Sequence, residues 1–248
     1  MRIESERVTI PVGDRVMGGY LARPLPDEPR QFPGVVLFME IFGLNPHIRS
    51  VVDRIAAEGY VVVAPDYFHR VAPGRELAYD QQGIELGMTL IPTLRREELD
   101  ADVEAAVAYL RGRADVGERS LGAIGFCIGG HAAYLAATRG HFAATASFYG
   151  GGIATSGFGE GQRTLDATPD IRGKLVCFFG GDDHAISPAQ VETIKRALYS
   201  GSVRSEVFVY PGAGHGFFCD ARGSHHFRSA DDAWKKVKKL FLDELHGA

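Results

Sequence analysis

Long apolar runs are missing from this 248-residue chain, and no stretch approaches the roughly 18 apolar residues that a membrane-spanning helix needs. The opening Met1-Arg2-Ile3-Glu4-Ser5-Glu6 also lacks the apolar centre of a secretory signal. The expectation is a soluble, cytoplasmic protein without a membrane partner. Cysteine is scarce too. Cys127, Cys177 and Cys219 are odd in number, far apart and without a C-x-x-C pair, which argues against a disulfide framework and a zinc knuckle. Nor is there an excess of positive charge: 27 Lys and Arg stand against 31 Asp and Glu. The one basic cluster, Lys235, Lys236, Lys238 and Lys239, has Asp231, Asp232 and Asp243 beside it and reads as a solvated helix face, so nucleic acid is not an expected partner.

What is present is a globular composition, 45% hydrophobic and 23% charged, which favours neither disorder nor a fibrous class and fits one domain over residues 1–248. The 31 glycines gather at the ends of apolar runs, where strand-to-helix turns need backbone freedom. Val8 to Val12 and Met17 to Ala22 read as a hairpin turned at Gly13-Asp14. Continuous apolar runs of strand length follow at Gly34 to Glu40, Tyr60 to Ala64, Leu121 to Phe126, Ala144 to Tyr149, Leu175 to Phe179 and Val207 to Tyr210. Burial on both faces is what a parallel sheet demands. Helical patterns alternate with them, roughly Pro46 to Glu58, Leu94 to Arg111, Ile128 to Thr138, Pro188 to Leu198 and Asp231 to Leu245. The fold class is therefore α/β: a doubly wound, mostly parallel sheet with helices on both faces. Phe68 to Pro92 and Gly150 to Arg172 break the rhythm and read as loops or small helices over a site.

Three places carry chemistry. Gly125-Phe126-Cys127-Ile128-Gly129-Gly130 joins a strand to a helix in the pattern G-x-C-x-G-G, the nucleophile turn of α/β-hydrolases with cysteine where serine is usual. At a helix N-terminus the positive end of the dipole favours thiolate, although a buried structural cysteine in a glycine-rich turn is the plain alternative. After the Leu175 run comes Asp182-Asp183-His184, whose carboxylates suit a triad acid or merely a cap. After the last run comes Gly214-His215-Gly216-Phe217. Nucleophile, acid and histidine in that chain order, each after a strand, match the order of α/β-hydrolases.

With those residues in place the chain resembles the dienelactone hydrolase family from about Val35 to Leu245. The motifs are Met39-Glu40-Ile41-Phe42-Gly43-Leu44, Ala64-Pro65-Asp66-Tyr67, Gly125 to Gly130, Gly181-Asp182-Asp183-His184 and Gly214 to Phe217. The resemblance implies an α/β-hydrolase fold and a catalytic Cys127, Asp183 and His215, acting without metal or organic cofactor on a small-molecule ester or lactone. It also implies that Glu40 assists ionisation of the thiol, that the backbone N–H groups of Ile41 and Ile128 form the oxyanion hole, and that Arg70 grips a substrate carboxylate. Tyr149, ending a strand level with the nucleophile, is a further candidate for the substrate pocket. The chain departs from the family where a second arginine is expected four residues after the histidine. Cys219 stands there, with Arg222 and Arg228 nearby. That departure keeps open a broad carboxylesterase or thioesterase on the same triad, and, further off, a non-catalytic ligand-binding or redox-sensing protein. A monomer or small homo-oligomer is expected.

Overall fold

Three strands have every residue buried: β3 (Gly34–Phe38), β4 (Val61–Pro65) and β5 (Leu121–Phe126). Continuous apolar sequence at these positions leaves no face for water, so the strands belong at the centre of a sheet. The computed structural model, which describes residues 1–117 and 121–246, places them there. Eight strands run in the order β1-β2-β4-β3-β5-β6-β7-β8, with β1 (Ile3–Val12), β2 (Arg15–Pro24), β6 (Phe142–Phe148), β7 (Lys174–Gly180) and β8 (Ser205–Tyr210) completing the sheet. The β1–β2 and β2–β4 pairs are antiparallel; every pair from β4 to β8 is parallel. The N-terminal hairpin is thus an edge, and its outer strand alternates buried and exposed residues only from Val8 to Val12.

Helices cover both faces. Gly34 and its neighbour Val35 point to opposite sides, as successive strand residues must. A Cβ on Gly34 would meet Leu110 of α3 (Arg96–Arg111), whereas Gly122, the register partner of Val35, faces Phe241 of α6 (Phe227–Phe241) and Leu245 beyond it. Three of the four lysines of α6 stand one helical turn from acids, with Lys235 Nζ 2.7 Å from Asp231, Lys236 Nζ 2.7 Å from Asp232 and Lys239 Nζ 2.8 Å from Asp243, while Lys238 Nζ is 3.4 Å from Glu58. Among the described residues no helix is long and apolar enough to cross a membrane.

Two elements depart from the periodicity. The edge hairpin is longer than its apolar core, because residues 3–7 pair through backbone with little burial. Inside the irregular stretch, Gln81–Leu90 forms helix α2, capped by the Asp80 carboxylate accepting from the Gly83 N–H at 2.7 Å. Its only buried residues are Gly83 and Gly87.

Because β3, β5, β6, β7 and β8 are parallel, their C-terminal ends share one rim. Ligand sites of open α/β sheets form there. Glu40 and Ile41 follow β3, Cys127 follows β5, Asp183 follows β7 and His215 follows β8.

Candidate active site

Cys127 sits between β5 and α4 (Ile128–Ala137) at φ 58° and ψ −123°, in the left-handed region that costs a non-glycine residue strain. The turn is held by close packing. The Cys127 N–H donates to the Phe148 carbonyl at 3.1 Å, and all ten residues of α4 are buried. A Cβ on Gly129 would lie 2.2 Å from the Phe38 carbonyl oxygen and 2.3 Å from that of Met39. Both obstacles are backbone of the neighbouring strand end and cannot swing aside. Gly129→Ala is expected to destabilise the protein by about 3 kcal/mol or more through overpacking. Urea denaturation measures this, and a midpoint within error of the parent would contradict the packing argument.

The thiol, partly exposed, faces His215. His215 Nε2 lies 3.1 Å from Cys127 Sγ, and Nδ1 lies 2.9 Å from Asp183 Oδ2. Asp183 is fixed in turn, its Oδ1 accepting from the backbone N–H groups of Ala185 at 2.8 Å and Ile186 at 3.2 Å. Its side chain is wholly buried, whereas Asp182 and His184 are exposed. Burial works against a charged His215, yet the adjoining Cys127 sulfur and the Asp183 hydrogen bond outweigh it and push the pKa up to about 10. The neighbouring sulfur and carboxylate thus both favour the protonated ring.

Glu40, two residues past the end of β3, has a fully buried side chain. Its Oε2 accepts from the Tyr79 hydroxyl at 2.7 Å, while Oε1 accepts no hydrogen bond and stands 3.5 Å from Arg222 Nη1. Arg222 also lies over the rings of Phe42 and Tyr79, at 5.3 and 5.6 Å. Gly216 makes the space: it adopts φ +77°, and a Cβ there would meet the guanidinium at 2.6 Å. The hydrogen bond of Glu40 thus goes to Tyr79, and its charge faces Arg222. Cys219, at the position of the expected second arginine, is buried; burial and Glu40 push its thiol up to about 12. Burial likewise lifts Cys177, inside β7, to about 12, so both thiols stay neutral.

Cys127, His215 and Arg222 border a cavity of about 380 Å³, with Ile41 and Ile128 on its wall. The match to known proteins is decisive for the family: the model of the Dienelactone hydrolase family matches residues 17–245. The chain belongs to the dienelactone hydrolase family. A Synechocystis protein provisionally named a carboxymethylenebutenolidase is 44% identical over 243 residues, covering 98% of each chain. The carboxymethylenebutenolidase of Pseudomonas putida is 30% identical over 186 residues, 75% of each chain. A crystal structure from Klebsiella pneumoniae, provisionally assigned as a dienelactone hydrolase, superposes with a TM-score of 0.86 at 28% identity, over 98% of this chain and 99% of that one. The chain is thus a carboxylic ester hydrolase of this family, with the α/β-hydrolase fold.

Within this family member, two of the sequence-derived pocket residues lie elsewhere. Arg70 does not border the cavity; its Nη1 is 2.7 Å from the buried Asp102 carboxylate and its Nε is 3.6 Å from Glu98, both on α3. His69 joins the same carboxylate at 3.2 Å, so Asp102 ties the segment after β4 to α3. Tyr149 is fully buried beneath His215, ring centroids 5.1 Å apart, instead of on the cavity wall. Arg228 is exposed at the start of α6. The sequence reading missed Tyr79 and His131. His131 lies four residues after Cys127, in the first turn of α4, and that nearness to the nucleophile turn could have revealed it. It is buried on the cavity wall, with Nε2 2.7 Å from Thr164 Oγ1, and burial lowers its pKa to about 3.

Proposed function

We propose that this enzyme opens ester or lactone bonds by covalent catalysis at Cys127, with His215 and Asp183 as its acid–base partners. The observation that carries the reading is the single imidazole spanning Cys127 Sγ at 3.1 Å and Asp183 Oδ2 at 2.9 Å at the edge of a cavity. Cys127 thiolate attacks the carbonyl carbon and forms a C–S bond. The oxyanion rests on the N–H groups of Ile41 and Ile128, and the C–O bond breaks as His215 passes its proton to the leaving alkoxide. Water then attacks the thioester carbon, His215 takes its proton, and the C–S bond breaks to return thiolate and acid. Asp183 keeps Nδ1–H directed at itself, so that Nε2 faces the sulfur.

Arg222 is the arginine that suits a substrate carboxylate, since it is the arginine on the cavity wall and a planar guanidinium binds carboxylate with two hydrogen bonds. Such a substrate competes with Glu40 for Arg222, which supports a role for Glu40 in ionising the thiol when substrate arrives. The test compares kcat/KM for a carboxylate-bearing lactone with that for a neutral aryl ester. Arg222→Gln is expected to lower that ratio roughly 10- to 100-fold, the worth of a charged hydrogen-bonded pair. Arg70→Gln should leave the ratio within about twofold. Loss of the anionic preference in Arg70→Gln alone would reverse the assignment.

A further inference from the structure

Beyond the reacting centre, the cavity holds more space and more apolar wall than a bare lactone with one carboxylate can use. Its volume of about 380 Å³ falls in the roughly 300–1,000 Å³ range of pockets that enclose drug-sized ligands. Among the described residues no carboxylate borders it and Arg222 is the one Lys or Arg on its wall, while burial holds His131 neutral. The rest is a slot. Ile84 and Met88 of α2 and Ile91 just after it recur at i, i+4 and i+7, the spacing of one helical face, and all three border the cavity. Gly83 and Gly87 form the adjoining stripe. A Cβ on Gly87 would press on Ile41 at 2.9 Å, so α2 is seated through glycine directly on the residue after Glu40.

The segment from Gly151 to Phe158 supplies another stretch of the wall. Phe158 lies 4.4 Å, ring to ring, from His131, which also contacts Thr164 and the Gly151 backbone. The Phe158 carbonyl also accepts from the Arg96 N–H at 3.2 Å, which ties the wall to α3. Met88 is 54% exposed although it borders the cavity. An apolar side chain left wet at the mouth of a slot gains by being covered, and the covering group must itself be apolar.

We propose that the natural substrate carries an extended apolar substituent on one side of the scissile ester, received between Met88 and Phe158, and that these two side chains set its length. The inference rests on the catalytic reading of Cys127. The carbonyl sits at Cys127 and the chain or ring runs outward along Ile84, Ile91 and Phe158, so the preferred substrates are medium-chain or arylalkyl esters and substituted lactones.

The test uses p-nitrophenyl acetate, butyrate, hexanoate and octanoate, with a parallel series of one acid esterified to alcohols of rising length. In one series kcat/KM should rise by up to about fourfold per added methylene, the equivalent of roughly 0.8 kcal/mol of buried CH₂. Hexanoate over acetate, or the matching pair of alcohols, should reach at least about tenfold. Met88→Glu should cut that ratio at least about fivefold, and Phe158→Ala should move the optimum to a longer chain. Ratios are unaffected by the fraction of enzyme that folds. A flat response in both series, or a Met88→Glu ratio equal to that of the parent, overturns the proposal. Failure of the catalytic reading shows itself separately, as full turnover by Cys127→Ala on the same esters.

Discussion

Cys127→Ala is expected to lower kcat for lactones and aryl esters by about 10⁴-fold or more, the loss seen when a covalent nucleophile is removed from a hydrolase. The fold should survive. Alanine occupies the same positive-φ turn with the strain that cysteine already bears, and Gly125, Gly129 and Gly130 keep the strand and helix in contact. A second readout separates chemistry from structure. The Cys127 sulfur is the leading influence raising the His215 pKa against burial, so its removal should bring that pKa well down from about 10. NMR titration of the His215 ring measures the shift. Intact-mass spectra of the parent, quenched during turnover of a slow ester, should show an acyl adduct that the variant lacks. An unchanged kcat or an unchanged His215 titration would sink the assignment.

The sheet was legible because its signal is crude. Central parallel strands must be apolar on both faces, and the runs at Gly34, Leu121 and Leu175 coincide with β3, β5 and β7. What escaped was structure whose cause is tertiary. Helix α2 contains Gly83 and Gly87, which read locally as helix-weakening, yet those glycines let the helix approach Ala78 and Ile41. Residues 3–7 gain strand conformation from pairing with residues 20–24, and their exposed side chains leave no alternation to read.

The candidate site divides the same way. Cys127, Asp183 and His215 each follow a strand that ends on one rim, so chain order alone grouped three side chains that the fold sets within hydrogen-bond distance. The choice of arginine depended on loop paths. Arg70 turns toward α3 because Asp102, 32 residues away, is buried and needs a cation, whereas Arg222 enters the cavity through the space above Gly216. Neither Asp102, which holds Arg70, nor Glu40, which Arg222 faces, is close in sequence to its arginine, and no periodicity encodes either pairing. Tyr79 lies in an irregular segment and shows its use only through the carboxylate of Glu40.

Asp183→Asn is expected to cost about 10⁴-fold in kcat with little change in KM, because the substitution reverses a proton position while keeping the shape. Asparagine can still accept from Ala185 and Ile186 through its one oxygen, which leaves its NH₂ group facing His215 Nδ1. Nδ1 must then be the acceptor and Nε2 the protonated nitrogen. A neutral ring in that tautomer cannot take the thiol proton. Aspartate also helps hold the imidazolium, so the alkaline limb of kcat, expected near pH 10 in the parent, should move to lower pH in the variant. The limb moves down because Asp183 is one of the groups raising the His215 pKa; separately, the proton on His215 favours the folded form fully below about pH 6.5, and that contribution to stability is lost as pH rises through about 10. A kcat–pH profile of both proteins decides it. If the variant keeps more than about a tenth of parental kcat, or shows the same alkaline limb, Asp183 is a cap for its own turn and the acid lies elsewhere.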